Sequence, residues 1–514
     1  MTVISPLADP ETSAVVMAAT GERLSFAELE TRSRRLAHLL RERGLHRDAH
    51  LAVLLDNNLH YFEVCWAARR AGLFTTPINW HLGPAEAGYI LEDCGATALV
   101  ATARLASLAG ELADPCRVVP TRLVVDGPID GFEDYDSALL GQPDSPLSEE
   151  TEGALMFYSS GTTGRPKGIL PNVQPRPFGT IGALDGLTQA LYGFEPGMVY
   201  LCPAPLYHAA PIAWSLAAQR AGGTVVVMDR FDAQGALAAI EEHRVTHAQF
   251  VPTHFIRMLK LDPAVRHRYD LSSLRTVIHA AAPCPVEIKR QMLEWLGPIV
   301  HEYYAGSEGT GFCAVGPEEW LAHPGTVGRP LGAALHITAV GGQEQGPGEV
   351  GQIWFESPVR FEYHHDPAQT EAAFNDRGWS TLGDVGYLDE EGYLYLTDRI
   401  SNMIISGGVN IYPQEIEDVL VMHTGVADVA VIGAPDPEMG ESVMAVVQPS
   451  DPGADEAALA EELGALCRSR LAGFKCPRQY RFTPSLPRLP SGKLLKRVVR
   501  EEFGGSSARS VLGI

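Results

Sequence analysis

The chain has 514 residues, and 40 Lys+Arg against 63 Asp+Glu leave a formal net charge of −23 with His neutral. Hydrophobic residues make up 45% and charged residues 20%, the balance of a folded protein and not of a disordered chain. At about 150 residues per domain the length corresponds to roughly three domain-sized units, and so acidic a chain is a poor match for the phosphate backbone of nucleic acid.

The start, MTVISPLADPETSAVV, lacks the basic segment and apolar core of a secretory signal, and no run approaches the ~18 apolar residues of a membrane helix. The cysteines (Cys65, Cys94, Cys116, Cys202, Cys284, Cys313, Cys467 and Cys476) form no Cys-x-x-Cys pair, which argues against a zinc or thioredoxin-type motif. Scattered through a long chain, they read as reduced, mostly buried thiols of a cytoplasmic protein.

In chain order, Leu29, Leu36, Leu39 and Leu40 recur at helical spacing and predict a helix over 27–44. The run LAVLL (51–55) predicts a strand, 60–72 a helix ended by Gly72, and 97–101 and 122–125 further strands. A second series follows, with strands at 154–160, 224–228, 246–251 and 274–280 separated by helical segments. Strands alternating with helices predict an α/β fold with largely parallel sheets. From Gly341 the texture changes to short apolar strands between Gly-rich turns, which predicts a more antiparallel, β-rich subdomain. After Arg399 a compact α+β unit resumes, with helices over 413–422 and 454–471 and strands over 428–433 and 442–449.

The sharpest local feature is YSSGTTGRPKG, Tyr158 to Gly168. It follows an apolar strand and gathers Ser159, Ser160, Thr162, Thr163, Gly161, Gly164 and Lys167, and backbone N–H groups, hydroxyls and one ammonium are the donors a phosphate requires. A P-loop does not fit: Pro166 precedes Lys167, and Gly168 follows it where Ser or Thr is needed. An ordinary surface turn shares the composition but not this order of hydroxyl, glycine and lysine after a strand.

SSGTTGRPKG resembles the signature of the adenylate-forming superfamily, which includes acyl- and aryl-CoA synthetases, luciferases and peptide-synthetase adenylation domains, and further segments resemble its motifs in the same order. PLYHAAP (205–211) resembles the aromatic/His segment near the acyl site and points to His208; HAAAPCP (279–285) resembles the adenine loop and points to Ala281, Ala282 and Pro283. In EYYAGSEGT (302–310) the resemblance puts Tyr304 on adenine, Ser307 where Thr is usual, and Glu308 on Mg²⁺, with Ala305 replacing a usual Gly. In WSTLGDVGYLD (379–389), Asp384 is implied to accept the ribose hydroxyls, and Leu382 stands where Thr is usual. DRISNMIISGGVN resembles the hinge region, with Arg399 on ribose, Ser401 at the pivot, and Ser406, Gly407 and Gly408 offered to CoA. LPRLPSGKLLKR (486–497) resembles the C-terminal catalytic motif, with Lys493 the matched lysine. Each short motif by itself is also an ordinary turn, cap or strand end; the ordered set is what carries weight.

The resemblance implies a large N-terminal AMP-binding domain (1–398), a hinge (399–402) and a mobile C-terminal domain (403–514). It implies catalytic roles for Lys493, Glu308 and His208, with ATP, Mg²⁺ and CoA as cofactors or co-substrates. The implied reaction is activation of a carboxylic acid as acyl-adenylate with loss of pyrophosphate, then transfer to CoA. HAAAPCP and EYYAG look most like the actinobacterial fatty-acyl-CoA ligase branch, whose members accept fatty, aryl, terpenoid- or steroid-derived acids; unusual or inorganic acids also stay open. Too few residues follow Lys493 for a carrier domain, so any carrier protein is expected to be separate. A stand-alone ligase loading such a carrier is the alternative, and Ser401, Leu382 and Ala305 keep open a pseudoenzyme that binds nucleotide or CoA. Finally, the stretch from Leu463 to Arg500 holds ten basic residues and no acid, which predicts a local positive patch for CoA phosphates despite the acidic whole.

Overall fold

The computed structural model describes residues 3–112, 119–159, 166–339, 341–488 and 494–504. Among these residues the strands assemble into five sheets. The first series builds an all-parallel sheet in the order Glu133–Asp134, Thr121–Val125, Ala98–Thr102, His50–Leu54, Phe74–Pro77, Ala154–Leu155. Every residue of Ala98–Thr102 is buried, and a strand covered on both faces reads as an unbroken apolar run without alternation. Helix Phe26–Glu42 packs against helix His60–Arg70 through the face carrying Leu29, Leu36, Leu39 and Leu40. A capping box starts it: the Ser25 hydroxyl accepts from the Glu28 N–H, and the Glu28 carboxylate accepts from the Ser25 N–H.

The second series builds a larger sheet. Strands Val300–Ala305, Thr276–His279, His247–Phe250, Val199–Cys202, Thr224–Val227 and Ser13–Met17 run parallel, and antiparallel strands close both edges. Trp66, Phe178, Tyr200 and Trp214 belong to the core the two α/β layers share. That core also contains paired charge. Arg70, fully buried, reaches Glu30 at 2.8 Å and Glu150 at 2.9 Å, and Arg220 bonds Glu152 at 2.5 Å. Buried guanidinium groups need such partners because desolvation leaves them no water.

The expected strand over 154–160 divides at Met156. Ala154–Leu155 completes the parallel sheet, while Phe157–Ser159 joins an antiparallel sheet with Lys167–Pro171 and Phe361–Tyr363. One apolar run serves two sheets, and apolar periodicity cannot signal a change of partner. The β-rich region is the antiparallel sheet Ala334–Thr338, Gly351–Glu356, Asp384–Leu388, Leu394–Arg399.

In the C-terminal part, Val426–Asp436 and Gly440–Pro449 form a long antiparallel pair. Val429 and Val431 face helices Pro413–Leu420 and Glu456–Arg470, while Ala430 and Ile432 face helix Lys496–Phe503. The two-residue period thus supplies one core to each side. The cysteines among the described residues are free, and no helix there is long and apolar enough to cross a membrane.

Lys289, fully buried, lies 2.6 Å from Glu302, which His279 approaches at 3.3 Å. Against the cost of its own burial, His279 and Lys289 hold the Glu302 carboxyl down at about 2. Removing one partner of a buried pair strands the other charge. Glu302→Gln is therefore expected to lower the unfolding free energy by about 3–5 kcal/mol, measured by urea denaturation at neutral pH.

Candidate active site

The site begins at the hairpin between Phe157–Ser159 and Lys167–Pro171, where Ser159 and Lys167 are directly opposed. The loop between them is thus closed by a paired rung; its residues Ser160, Gly161, Thr162, Thr163 and Gly164 lie outside the described residues. The Lys167 ammonium sits 5.3 Å over the Tyr363 ring, a cation–π contact. Burial lowers its pKa, opposed by the charges of Asp366 and Glu308. The Tyr363 hydroxyl donates to Glu308 Oε1 at 3.0 Å. Lys167 and Glu308 are distant in sequence, and Tyr363 joins them. Sequence reasoning missed Tyr363, whose sole signal is an aromatic in a short strand.

A second group adjoins the first. Tyr304, on Val300–Ala305, donates its hydroxyl to Asp384 Oδ2 at 2.6 Å, and Arg399 Nε donates to Asp384 Oδ1 at 3.0 Å. The Asp384 charge holds the Arg399 guanidinium above its ordinary value, with Tyr304 and Glu308 also acting on it. Burial pushes the Tyr304 phenol well up, so it is a neutral donor. Asp384 is itself buried, and each of its oxygens keeps a second acceptor position for a ligand hydroxyl.

Ala281, Ala282 and Pro283 form an exposed turn after strand Thr276–His279, and Ala281 takes φ +74°, a left-handed conformation unusual for a residue with Cβ. Ser307 is exposed beside Glu308. Leu382, where a hydroxyl was expected by resemblance, packs into the core of the β-rich sheet; a Cβ on Gly306 would meet it at 2.6 Å. Ala305 is partly buried against the large shared core. His208 stands in a separate aromatic set: it precedes helix Ala209–Arg220, and its ring lies 4.4 Å from that of Tyr207, whose hydroxyl is 3.2 Å from His81.

The stretch 399–402 is braced by Asp398, which sequence reasoning also missed. Asp398 Oδ1 accepts from the Asn402 side chain at 3.0 Å, and Oδ2 accepts from the Gln414 N–H at 3.2 Å at the start of helix Pro413–Leu420. The Ser401 carbonyl accepts from Arg500 at 2.8 Å. Ser406, Gly407 and Gly408 lie in the hairpin joining Ile404–Ser406 to Val409–Ile411. Both glycines have positive φ, as a two-residue turn requires, and the Gly407 N–H bonds the Met439 carbonyl. Lys493 lies outside the described residues.

The basic stretch differs from the open patch expected of it. Lys475 pairs with Glu415, Arg478 with Asp436, Arg488 with Asp428, Lys496 with Glu417, and Arg497 with Glu501. The acids are distant along the chain or just beyond the stretch, so the local run gave no sign of them. Arg468, Arg470 and Arg481 stay exposed.

The hairpin and the Lys167–Tyr363–Glu308 group adjoin the Asp384 carboxylate through Arg399, on which both Asp384 and Glu308 act, and comparison with known proteins identifies the family. The AMP-binding enzyme family matches residues 6–362, and the AMP-binding enzyme C-terminal domain matches 415–493. A feruloyl-CoA synthase of Amycolatopsis sp is 35% identical over 489 residues, 94% of this chain and 95% of that protein. A fatty acid–[acyl-carrier-protein] ligase, ScoC of Streptomyces coeruleorubidus, is 33% identical over 515 residues, 98% of this chain and 96% of that one. The o-succinylbenzoate CoA synthetase MenE of Bacillus subtilis, solved with its acyl-adenylate, superposes with a TM-score of 0.80 at 28% identity, covering 97% of each chain. The chain belongs to the AMP-binding enzyme family, within the adenylate-forming superfamily that its motifs resemble.

One group in helix Pro413–Leu420 gives a pH dependence. Burial raises the Asp418 carboxyl to about 7; Glu417 and Asp398 push the same way, and Gln414 and Lys496 oppose them. Asp418 also acts on the Cys284 thiol, across from helix Pro413–Leu420. A carboxyl raised on packing favours the packed state below its ordinary value near 3.8, and that advantage is lost as pH rises through about 7. Hydrogen exchange in this helix, corrected for intrinsic rates, is therefore expected to be faster at pH 8 than at pH 6, and Asp418→Asn to abolish the difference.

Proposed function

We propose that this enzyme is an ATP-dependent acid–CoA ligase that forms an acyl-adenylate and passes the acyl group to CoA. The observation that carries the reading is the joined group Lys167–Tyr363–Glu308 beside Tyr304–Asp384–Arg399, in a chain whose curated relatives include acid–CoA ligases along nearly their whole length. A carboxylate becomes a competent electrophile when its oxygen attacks the α-phosphorus of ATP and pyrophosphate leaves. A thiol then attacks the carbonyl carbon, loses its proton, and AMP departs. No protein nucleophile is needed.

Two anions meet in the first step, so fixed positive charge is the main requirement. Lys167 and the loop from Ser159 are assigned to the β- and γ-phosphates, Asp384 and Arg399 to the ribose, and the Ala281–Pro283 turn with Tyr304 to the adenine. Glu308 is a hard oxygen donor fixed by Tyr363, which suits Mg²⁺, and the ion would supply charge neutralisation at the phosphates. Lys493 is assigned to the α-phosphate and the attacking oxygen, His208 to the acyl side, and Ser406–Gly408 to CoA. The assignment divides the chain into 1–398 and 403–514 about a pivot at 399–402, with the C-terminal part changing orientation between the two steps.

ScoC favours a second acceptor, since it matches along 96% of its length and is named for loading an acyl-carrier protein. ATP–pyrophosphate exchange over a panel of fatty, aryl and polycyclic acids tests the first step; exchange with none of them would favour a nucleotide-binding pseudoenzyme. CoA or a carrier protein, added to the best acid, then separates the acceptors.

Lys493→Ala is expected to reduce exchange by at least ~10²-fold while sparing thioester formation from synthetic acyl-adenylate. Equal loss of both half-reactions would refute the two-orientation assignment. Because Arg478 is paired and Arg468 is not, Arg468→Glu is expected to raise the apparent KM for CoA more than Arg478→Glu does, with the effect shrinking in added salt.

A further inference from the structure

We propose that Asp93, His364 and His365 form a binding site for a divalent cation of the zinc class at the base of the phosphate hairpin. One ligand atom from each residue can be chosen so that all three lie within 4.8 Å of one another. His365 Nδ1 and Asp93 Oδ1 are 3.4 Å apart, about the separation of two ligands bound tetrahedrally at roughly 2.0–2.1 Å. His364 supplies the third ligand atom within the same 4.8 Å group, and water can take the fourth position.

The surroundings are those of a ligand set. Metal-binding side chains are held by a second contact that fixes their orientation. His364 Nε2 is 3.0 Å from the Asp93 carbonyl, and Asp93 Oδ2 accepts from the Tyr158 hydroxyl at 2.6 Å. A surface ion pair would account for one histidine beside Asp93. It does not bring in the second, whose ring lies 3.7 Å from the first and which meets Asp93 at its carbonyl and not its carboxylate. A third imidazole, His50, lies 5.8 Å from His364. His365 adopts φ +56°, so the backbone is also specialised here. Two imidazoles with one carboxylate suit zinc-like ions and not Mg²⁺, which prefers an all-oxygen shell.

The place matters as much as the ligands. Tyr158 and Gly168 are the rung next to Ser159 and Lys167 in the hairpin, and the Gly168 carbonyl accepts from the His364 N–H at 2.8 Å. Asp93 ends helix Pro84–Asp93 on the parallel-sheet side. A bound ion would tie that helix to the rung that supports the phosphate loop.

The test is occupancy, measured on the full chain without an affinity tag. Calorimetric titration with ZnCl₂ is expected to show one saturable ion per chain, at least ~10-fold tighter than in the His364→Ala/His365→Ala double variant. Co²⁺ is expected to give visible absorption bands in the native chain that the double variant lacks. His365→Ala alone, at an exposed side chain, gives the same comparison should the double variant fold poorly. Equal zinc isotherms in native and variant chains, or no saturable binding by the native chain, would overturn the proposal. Neither readout depends on ligase turnover, so the site and the proposed reaction stand or fall separately.

Discussion

The Asp384 carboxylate accepts from Tyr304 through one oxygen and from Arg399 through the other; Arg399 is its cross-strand partner, while Tyr304 reaches it from a different sheet. Tyr304 ends a strand of the large parallel sheet, Asp384 begins a strand of the β-rich sheet, and Arg399 ends the neighbouring strand where the chain turns toward its C-terminal part. The worth of the arrangement is geometric. With the Arg399 side chain about half exposed, at 48%, solvent screening holds such a pair to about 1 kcal/mol or less, too little to fasten two sheets by itself. The sheets are held by their cores, and the carboxylate is held by the sheets.

Charges in this protein are placed in the same way at three depths. Deep in the core, Glu302 between Lys289 and His279 ties the strand before the Ala281–Pro283 turn to the strand carrying Tyr304. At half depth, Tyr363 bridges Lys167 and Glu308, so a cation and a carboxylate share one support. At the end of strand Leu394–Arg399, Asp398 receives bonds from Asn402 and from the start of helix Pro413–Leu420. Each fixes residues that lie far apart in sequence or on different elements.

The sequence made the elements legible where one physical signal dominated. The leucine face of helix Phe26–Glu42 and the alternation in Val426–Asp436 each bury a single face with a single period, so pattern and structure coincide. It was less legible where the meaning lay in pairing. The run over 154–160 shows no feature at Met156, yet the chain changes sheet there. Of the site, the ordered motifs brought out Lys167, Tyr304, Glu308, Asp384 and Arg399, because their chemistry is written in residue type. Tyr363 and Asp398 escaped because a phenol in a short strand and an aspartate at a strand end acquire their roles only from what the fold puts opposite them.

The uneven charge of the chain is subject to the same distinction between composition and contact. A net −23 suggests repulsion of nucleotides, and ten basic residues without an acid suggest a positive patch, yet both are sums along a line. In space, Glu415, Asp436, Asp428 and Glu417 fold back onto the basic stretch, while Lys167 lies over the Tyr363 ring beside the charges of Asp366 and Glu308. Since exposed charges beyond about 8–10 Å are screened at physiological salt, a phosphate at the hairpin responds to those few neighbours and hardly to the whole. An acidic protein can therefore present a cation such as Lys167 locally, because what a ligand meets is the nearest charges and not their sum along the chain.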